Sequence, residues 1–470
     1  MSKPRLLIPL TIQFSIRYVI RTGLLKLLSD FVDPIIVLGW KDDDLLAEFK
    51  QGGIEVHQLP EIKQGREYHQ LRVLISLYHF DHLGSCSTEI DRRRNHVING
   101  FRSSLYKEFK TFVMRWEIGI KGGMDDLCAR ERQVLGDSTN IEEYRHLINE
   151  IKPDALFCLT PFLMEEEFLV RAAKEAGIKI STAILSFDNI TTRGWIPILF
   201  DAYFLWNQYN VNELHRIYPQ TVNKTTKIVG APQFDFYFDP NYIWSEAQWR
   251  KTLNLPHESP VILFGAGPET IAPPEPYWLE QLDQSIENGE IQGMPVILLR
   301  IHPVDSGKRW KNLLLRAKNV VVDEAWPSGK TQIGKTNITR WDIEKLASTL
   351  KYSEVHINTS STMTIDGAIF DRPQIGPAYD DRLGRRYDLV MKELYQREHY
   401  LPITNSGGLK VVHSREEMIT AVNLAFSNPA EMAIGRARMI DEICTHGDGK
   451  STLRVAEVIR SFVVSEQVMI

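Results

Sequence analysis

Residues 359–367 read Thr359-Ser360-Ser361-Thr362-Met363-Thr364-Ile365-Asp366-Gly367, between the apolar run Val355-His356-Ile357 and the start of a helix. Hydroxyl side chains and backbone N–H groups at a strand-to-helix handover suit a phosphate, because the first turn of a helix carries unpaired donors and partial positive charge. Asp366 follows one turn later, where a carboxylate can take a ribose hydroxyl. Ser360, Ser361, Thr362 and Asp366 are therefore the first candidates for holding a nucleotide. Plain helix caps have the same composition, so the rest of the chain has to decide.

Parallel α/β sheets bind ligands at the carboxyl ends of their strands, and four more segments fall there. Phe264-Gly265-Ala266-Gly267-Pro268 follows an apolar run, and Gly265 and Gly267 would let backbone N–H groups approach a ligand, although a G-x-G alone also makes a tight turn. Leu299-Arg300-Ile301-His302-Pro303 ends another run. Proline stiffens the chain after His302, which could donate to a phosphate oxygen or simply close the strand. Clustered arginines in residues 376–386, among them Arg385, could clamp a phosphate or form a surface ion-paired loop. Ser186-Phe187-Asp188-Asn189-Ile190-Thr191-Thr192-Arg193-Gly194 packs polar and acidic residues behind a strand, so Asp188 is a candidate general base with Asn189 beside it. Asp-Asn is also turn chemistry. Glu165, Glu166 and Glu167 read mainly as favourable charge at a helix start. Residues 9–18 lack the glycines of a dinucleotide fingerprint, which speaks against an NAD enzyme; Arg17 in that loop is a candidate for substrate contact or a helix cap.

Short apolar runs alternating with helical stretches must position these residues. The predicted strands are 5–10, 34–38, 54–58, 155–159, 179–185, 202–205 and 227–229, then 261–264, 296–301, 320–323, 354–357 and 374–375. This rhythm predicts repeated βαβ units and two doubly wound parallel sheets in series. The expected domains are 1–240, with an irregular helical region at 59–149, and 241–470, which ends in helices 416–426, 429–444 and 452–462. Asn428 before Pro429 reads as a helix start. Asp42-Asp43-Asp44 reads as an acidic helix start rather than a metal motif.

A chain of 470 residues exceeds one ordinary core, so two domains of roughly 200 residues each are the natural division. A net charge of −5 excludes a dedicated nucleic-acid binder. Cys86, Cys128, Cys158 and Cys444 are scattered without a C-x-x-C pair, which fits a reducing cytoplasm. The N-terminal apolar run is too short for a signal sequence, and no stretch approaches a bilayer span. The expected location is cytoplasmic, or peripheral on the inner face of the membrane. In 59–149, Arg92-Arg93-Arg94, Lys107, Lys110, Arg115, Lys121, Arg130 and Arg132 mix with Phe101, Tyr106, Phe109, Phe112 and Trp116. That mixture reads either as a solvated amphipathic face or as an acceptor-binding or membrane-apposed one.

These motifs resemble the GT-B glycosyltransferases and their relatives, the non-hydrolysing UDP-N-acetylglucosamine 2-epimerases. Lys152-Pro153-Asp154-Ala155 is similar to their K-P-D lead-in, and Val229-Gly230-Ala231-Pro232-Gln233-Phe234-Asp235 to their G-N-P-x-x-D segment. Residues 359–367 with Phe370-Asp371-Arg372-Pro373 are similar to S-G-G-x-x-x-E followed by G-x-P, with hydroxyls in place of glycines and Asp366 in place of Glu. The resemblance implies that Ser360, Ser361 and Thr362 hold a diphosphate, that Asp366 holds the ribose, and that Asp188 faces the reacting sugar. His302-Pro303 with the Ser-Ser-Thr loop also resembles the H-P and S-S motifs of bacterial sialyl-, Kdo- and glycerophosphate-transferring enzymes, which use CMP or CDP donors. The S-F-D-N-I-T-T-R-G stretch resembles surface-polysaccharide members of the group.

The implied protein has two Rossmann-like domains facing across a cleft and moves a sugar from a nucleotide donor to a glycan or lipid-linked acceptor. The nucleotide sugar is then a substrate, with no further cofactor. His302, helix dipoles and Arg385 would supply positive charge in place of a metal. The alternatives are a nucleotide-sugar 2-epimerase, a CDP-glycerol-type glycerophosphotransferase, and a non-catalytic relative that binds glycans or partner proteins.

Overall fold

The computed structural model describes residues 2–99, 101–326, 334–382 and 384–464, without the side chains of 98, 99, 101–104, 385 and 386. It divides into two compact units, Met1–Gly230 together with the segment from Thr452, and Ala231–Ser451. The division expected from sequence, at 240/241, left the C-terminal helix in the second domain. Here that helix, Ser451–Val464, sets Val455, Ala456 and Ile459 into the core of the first unit.

The first unit is a seven-stranded parallel sheet of β1 (Arg5–Leu10), β2 (Asp33–Leu38), β3 (Glu55–Gln58), β4 (Ala155–Cys158), β5 (Lys179–Ala183), β6 (Ala202–Leu205) and β7 (Thr225–Ile228), in the order β3-β2-β1-β4-β5-β6-β7. Its inner strands β1, β4 and β6 are apolar and buried because both faces are covered, whereas the edge strands β3 and β7 are polar and partly exposed. Side chains alternate along β1, so Leu6, Ile8 and Leu10 enter one core and Leu7 the other. Between β3 and β4 stands a helical block, Arg66–His82, Cys86–Asn99, Phe101–Lys121, Met124–Ser138 and Ile141–Ile151. Part of it has its own small core around Leu71, Leu74, Ile75, Ile118 and Leu127.

The second unit is a six-stranded parallel sheet of β8 (Val261–Gly265), β9 (Val296–Ile301), β10 (Val320–Glu324), β11 (Val355–Asn358), β12 (Gln374–Pro377) and β13 (Leu409–Val412), in the order β10-β9-β8-β11-β12-β13. Both sheets are doubly wound, as the alternation of elements predicts. The strand order reverses between β1 and β4 in the first unit and between β8 and β11 in the second. β13 lies beyond the last strand read from sequence. Asn428 also departs from that reading: it caps the C-terminus of Arg415–Ser427, since Pro429 cannot continue that helix, and the next helix starts only at Ala433. Asp42 does begin a helix, its carboxylate accepting from Leu45 N at 3.0 Å. Among the described residues no helix is long and apolar enough to cross a membrane.

Candidate functional site

Register brings three strand ends of the second sheet level. Gly265 of β8 sits opposite Arg300 of β9 and Asn358 of β11. The loops with Gly267, His302 and Ser360–Thr362 therefore leave the same edge of the sheet. β9 and β11 flank β8, so their ends stand about 10 Å apart at ordinary strand spacing. A Cβ at Gly265 would meet Met363 Sδ at 2.7 Å, so any larger residue there would have to displace the Met363 side chain. Gly367, on the helix Met363–Ile369, presses against β11 and β12 in the same way, with His356 Nδ1 and Gln374 Nε2 each 2.2 Å from a Cβ.

One buried carboxylate joins these loops. Glu275 opens the helix Glu275–Glu287 and is fully buried. Its Oε1 accepts from Gly267 N at 2.9 Å and from Thr359 Oγ1 at 3.1 Å, while Oε2 accepts from Arg309 Nη2 at 2.8 Å. Arg309, in the segment after β9, also donates to Gly267 O and Ala272 O at 2.7 Å and to Asp305 Oδ2 at 2.6 Å. The network bridges the point where strand order reverses, the usual ligand crevice of such sheets. It also occupies the Gly267 N–H, so that amide serves the network. Burial pushes the Glu275 carboxyl up to about 7, against the pull of Arg309 and of the Gly267 N–H.

His302 stands half-buried just beyond β9, and its Nδ1 accepts from Val304 N at 3.2 Å. A neutral ring so bound keeps its proton on Nε2, which is then a donor. Burial pushes its pKa down to about 4, with Asp305 opposing. His302 thus offers a hydrogen bond at neutral pH, where the sequence reading expected a positive charge.

The hydroxyl loop is rigid. Ser360 has a φ of +44°, a left-handed conformation rare for serine, and donates from Oγ to Leu394 O at 3.0 Å. Ser361 Oγ accepts from Met363 N at 3.2 Å, and Thr362 is exposed. Beneath them Thr364 Oγ1 donates to Asn358 Oδ1 at 2.7 Å and meets Tyr400 OH at 2.8 Å. Asp366 is buried and accepts a hydrogen bond from Tyr237 OH. In residues 376–386, Arg382 pairs with the buried Asp380 at 3.0 Å and covers the Tyr277 ring at 4.2 Å. The side chain of Arg385 lies outside the described residues.

The remaining candidates belong to the first unit. Asp188 is half-buried behind β5 and precedes the short helix Asn189–Thr192. Its Oδ2 accepts from Thr192 Oγ1 at 3.1 Å and its Oδ1 from Asn189 Nδ2 at 3.3 Å. Arg17 is buried in the helical turn after β1. Of the three glutamates in the first turn of Met164–Glu175, Glu166 repeats the role of Glu275. It is buried where β1 meets β4 and accepts from Thr11 Oγ1 at 2.5 Å and from Thr160 N at 2.9 Å. Glu167 is gripped by Arg72 at 2.7 Å and Arg171 at 2.9 Å. Among the described residues no three His, Cys, Asp or Glu side chains are grouped to hold a metal ion.

The family of CDP-glycerol:poly(glycerophosphate) glycerophosphotransferases matches residues 200–461, more than half of the chain. The chain belongs to that family. No curated protein matches the chain. Its fold is similar to that of UDP-GlcNAc 2-epimerase from Neisseria meningitidis, solved with UDP-GlcNAc, at 11% identity over 97% of this chain and 99% of that one, with a TM-score of 0.55. It is also similar to S. aureus MnaA solved with UDP, at 13% identity over 99% and 98% of the chains and a TM-score of 0.56. A glycosyltransferase from Rickettsia africae aligns at 11% identity over 99% and 100%, with a TM-score of 0.51. At these identities the likeness sets the fold, which is GT-B. The glycerophosphotransferase match covers β8 to β13 and every candidate of the second unit. The chain is thus a GT-B transferase of polysaccharide biosynthesis, the class to which its motifs point.

Sequence reading missed Glu275, Arg309 and Asp305, as well as the buried group in which Asp323 binds Arg300 and, at 2.6 Å, Lys345. Arg300 immediately precedes Ile301-His302, so this group stiffens the end of β9. Only the unusual placement of an arginine inside an apolar strand signalled it.

Proposed function

We propose that this transferase moves a glycerophosphoryl or glycosyl group from a cytidine-nucleotide donor to a hydroxyl of a growing polysaccharide, itself a free glycan or lipid-linked. The observation that carries this reading is the family match across the whole second unit, which includes His302-Pro303 and Ser360-Ser361-Thr362. In this reading the loops after β8, β9 and β11 hold the donor's phosphates. Thr362 and the Ser361 segment meet a diphosphate, His302 donates from Nε2 to the departing phosphate oxygen, and Asp366 with Tyr237 lies toward the ribose. Asn189, Arg17 and Arg385 are assigned to the substrates.

The step is a displacement. The acceptor oxygen bonds to the transferred centre while that centre's bond to the nucleotide phosphate oxygen breaks. The acceptor proton passes to Asp188, and the electron pair leaves with the nucleotide. Hydrogen-bond donors fixed before the reaction stabilise the charge that develops on the leaving oxygen. We propose that no metal is needed and that the enzyme works in the cytoplasm, peripherally attached at the membrane.

The test is nucleotide release. Purified protein with CDP-glycerol or a CMP-sugar and a polymer acceptor is expected to liberate CMP or its analogue, with or without EDTA. Stabilisation by nucleotide with no release from any donor would replace this reading with that of a binding protein. Conversion of UDP-GlcNAc without an acceptor would replace it with that of an epimerase.

A further inference from the structure

The helix Arg66–His82 turns Tyr68, Arg72, Ile75 and His79 to one side, within an arc of about 60° at roughly 100° per residue. On that side lies a group of four charges, with Glu131, Glu167 and Arg171 buried and Arg72 nearly so. Arg72 donates to both Glu167 oxygens, at 3.0 and 2.7 Å. Arg171 donates to Glu167 Oε1 at 2.9 Å and to Glu131 Oε1 at 3.0 Å, and Glu131 also accepts from Tyr68 OH at 2.8 Å. The four charges cancel, and three helices of the first unit meet at them: Arg66–His82, Met124–Ser138 and Met164–Glu175. Apolar residues would close such a seam with less desolvation. What the charges add is direction, because a guanidinium held on two carboxylate oxygens has a fixed place.

That place is over Trp195. The Arg72 guanidinium carbon lies 5.3 Å from the centre of the Trp195 ring, within cation–π range. Trp195 closes the loop that carries Asp188, and its side chain packs against both the main core and the small core of the helical block. The next residue is fixed from the same helix. Ile196 N donates to Tyr218 OH at 2.9 Å, and the Tyr218 ring stacks on His79 with their centres 6.0 Å apart. The near end of the loop is held separately, where Asn210 Nδ2 donates to Phe187 O at 2.7 Å. Asp188 lies between these two anchors, and the helix Arg66–His82 grips the far one twice, through Arg72 and through His79.

We propose that Arg72 is a positioning residue for the transfer step. Through Trp195 it fixes the far end of the Asp188 loop, so that the carboxylate is already in place when an acceptor hydroxyl arrives. Misplacing a reacting group by about 1 Å lowers a rate by roughly a hundredfold. The catalytic half of this proposal rests on the reading of Asp188 as the base. The anchoring half does not, and a measurement without substrate decides it.

Arg193, exposed in the same loop, makes that measurement possible. Trypsin cuts after it when the loop leaves its anchors, and the fragment beginning at Gly194 is identified by mass. Arg72→Ala would strand Glu167 and endanger the fold, so the main variant is Trp195→Leu with Tyr218→Phe, which uncovers no charge. In it, cleavage after Arg193 should quicken at least about tenfold, with cuts elsewhere unchanged. Its kcat with CDP-glycerol and a polymer acceptor should fall about tenfold to a hundredfold, while CDP affinity in calorimetric titration stays the same. Arg72→Lys, with the charge but not the flat fork, should show both effects. Trp195→Phe, which keeps a ring under Arg72, should show neither. Parent-like cleavage and kcat in the double variant and in Arg72→Lys would overturn the proposal. Faster cleavage with unchanged kcat would overturn its catalytic half and remove Asp188 as the base. A parent that turns over no donor would refute the transfer reading instead, and the cleavage rates would still decide the anchor.

Discussion

Thr359 Oγ1 donates to Glu275 Oε1 over 3.1 Å, joining the loop after β11 to the start of a helix 84 residues earlier. Because Gly267 N and Arg309 bind the same carboxylate, the loops after β8, β9 and β11 are tied to one another. Thr359→Val removes one link and should cost about 1 kcal/mol of stability. Glu275→Ala strands Arg309 and the Gly267 amide in a buried place and should cost about 3–5 kcal/mol. Calorimetry of both variants checks the order. Equal melting temperatures would mean that the network is not what fixes these loops.

The same carboxyl makes stability depend on pH. Glu275 titrates near 7 when folded, against 4.5 for an ordinary glutamate, so between those values the folded state holds the extra proton. Its contribution therefore falls as pH rises from 4.5 to 7, by on the order of 3 kcal/mol. His302 acts in the opposite sense. Its folded value near 4 lies below the ordinary 6.5, so the unfolded chain binds the proton more readily and stability is lost as pH falls through that window. Denaturation at pH 5 and pH 7 should show a loss for the parent, relative to Glu275→Gln, as pH rises. Parallel profiles would sink the assignment.

His302 is proposed to act as a neutral donor from Nε2, and the substitutions follow from which atom is kept. His302→Ala removes the donor and should lower kcat by about 10²–10³. Glutamine can place an amide N–H near the Nε2 position, so His302→Gln should recover part of that loss, whereas His302→Asn, whose amide mimics Nδ1, should not. Steady-state rates with a common donor decide it. Equal activity in all three variants would remove His302 from the reaction.

Much of this fold could be read from the chain because a strand buried on both faces must be a short apolar run. β1, β6 and β9 appear in sequence with the bounds they have in the structure. β13 was not legible. Leu409-Lys410-Val411-Val412 is only four residues long, carries a lysine, and follows Gly407-Gly408, so it reads as loop. The hydroxyl loop and His302-Pro303 could be picked out by residue type at strand ends. Glu275 could not, since Pro273-Pro274-Glu275-Pro276 has the composition of an exposed turn. Its role depends on partners brought together only by the fold, and no local pattern encodes them. The charge on His302 was misjudged for the same reason: burial, not residue type, sets it.

Asp188 carries the proposed base role in the first unit. Its carboxylate is already oriented by Thr192 Oγ1 at 3.1 Å and Asn189 Nδ2 at 3.3 Å. Asp188→Asn keeps the shape but not the basicity, so turnover should fall by about 10²–10⁴ with nucleotide affinity unchanged. Full turnover in this variant would leave Asp188 a structural turn residue. Asn189→Ala tests the positioning separately, and a smaller drop is expected.

The donor base is the remaining open choice, and mass action makes it measurable. A ligand that binds only the folded state raises the melting temperature according to its concentration over its dissociation constant, about 2.7 kcal/mol at a hundredfold excess. CDP and CMP are expected to stabilise the protein more than UDP, GDP or dTDP at equal concentration, as the family match implies. The effect should survive EDTA if no metal bridges the phosphates. It should weaken in Thr362→Ala, because Thr362 is the exposed hydroxyl of the loop, its neighbours Ser360 and Ser361 being tied to Leu394 O and Met363 N. A UDP preference that survives Thr362→Ala would break both the cytidine reading and the assignment of the phosphates to this loop. Calorimetric titration of CDP into parent and variant then separates lost affinity from lost stability.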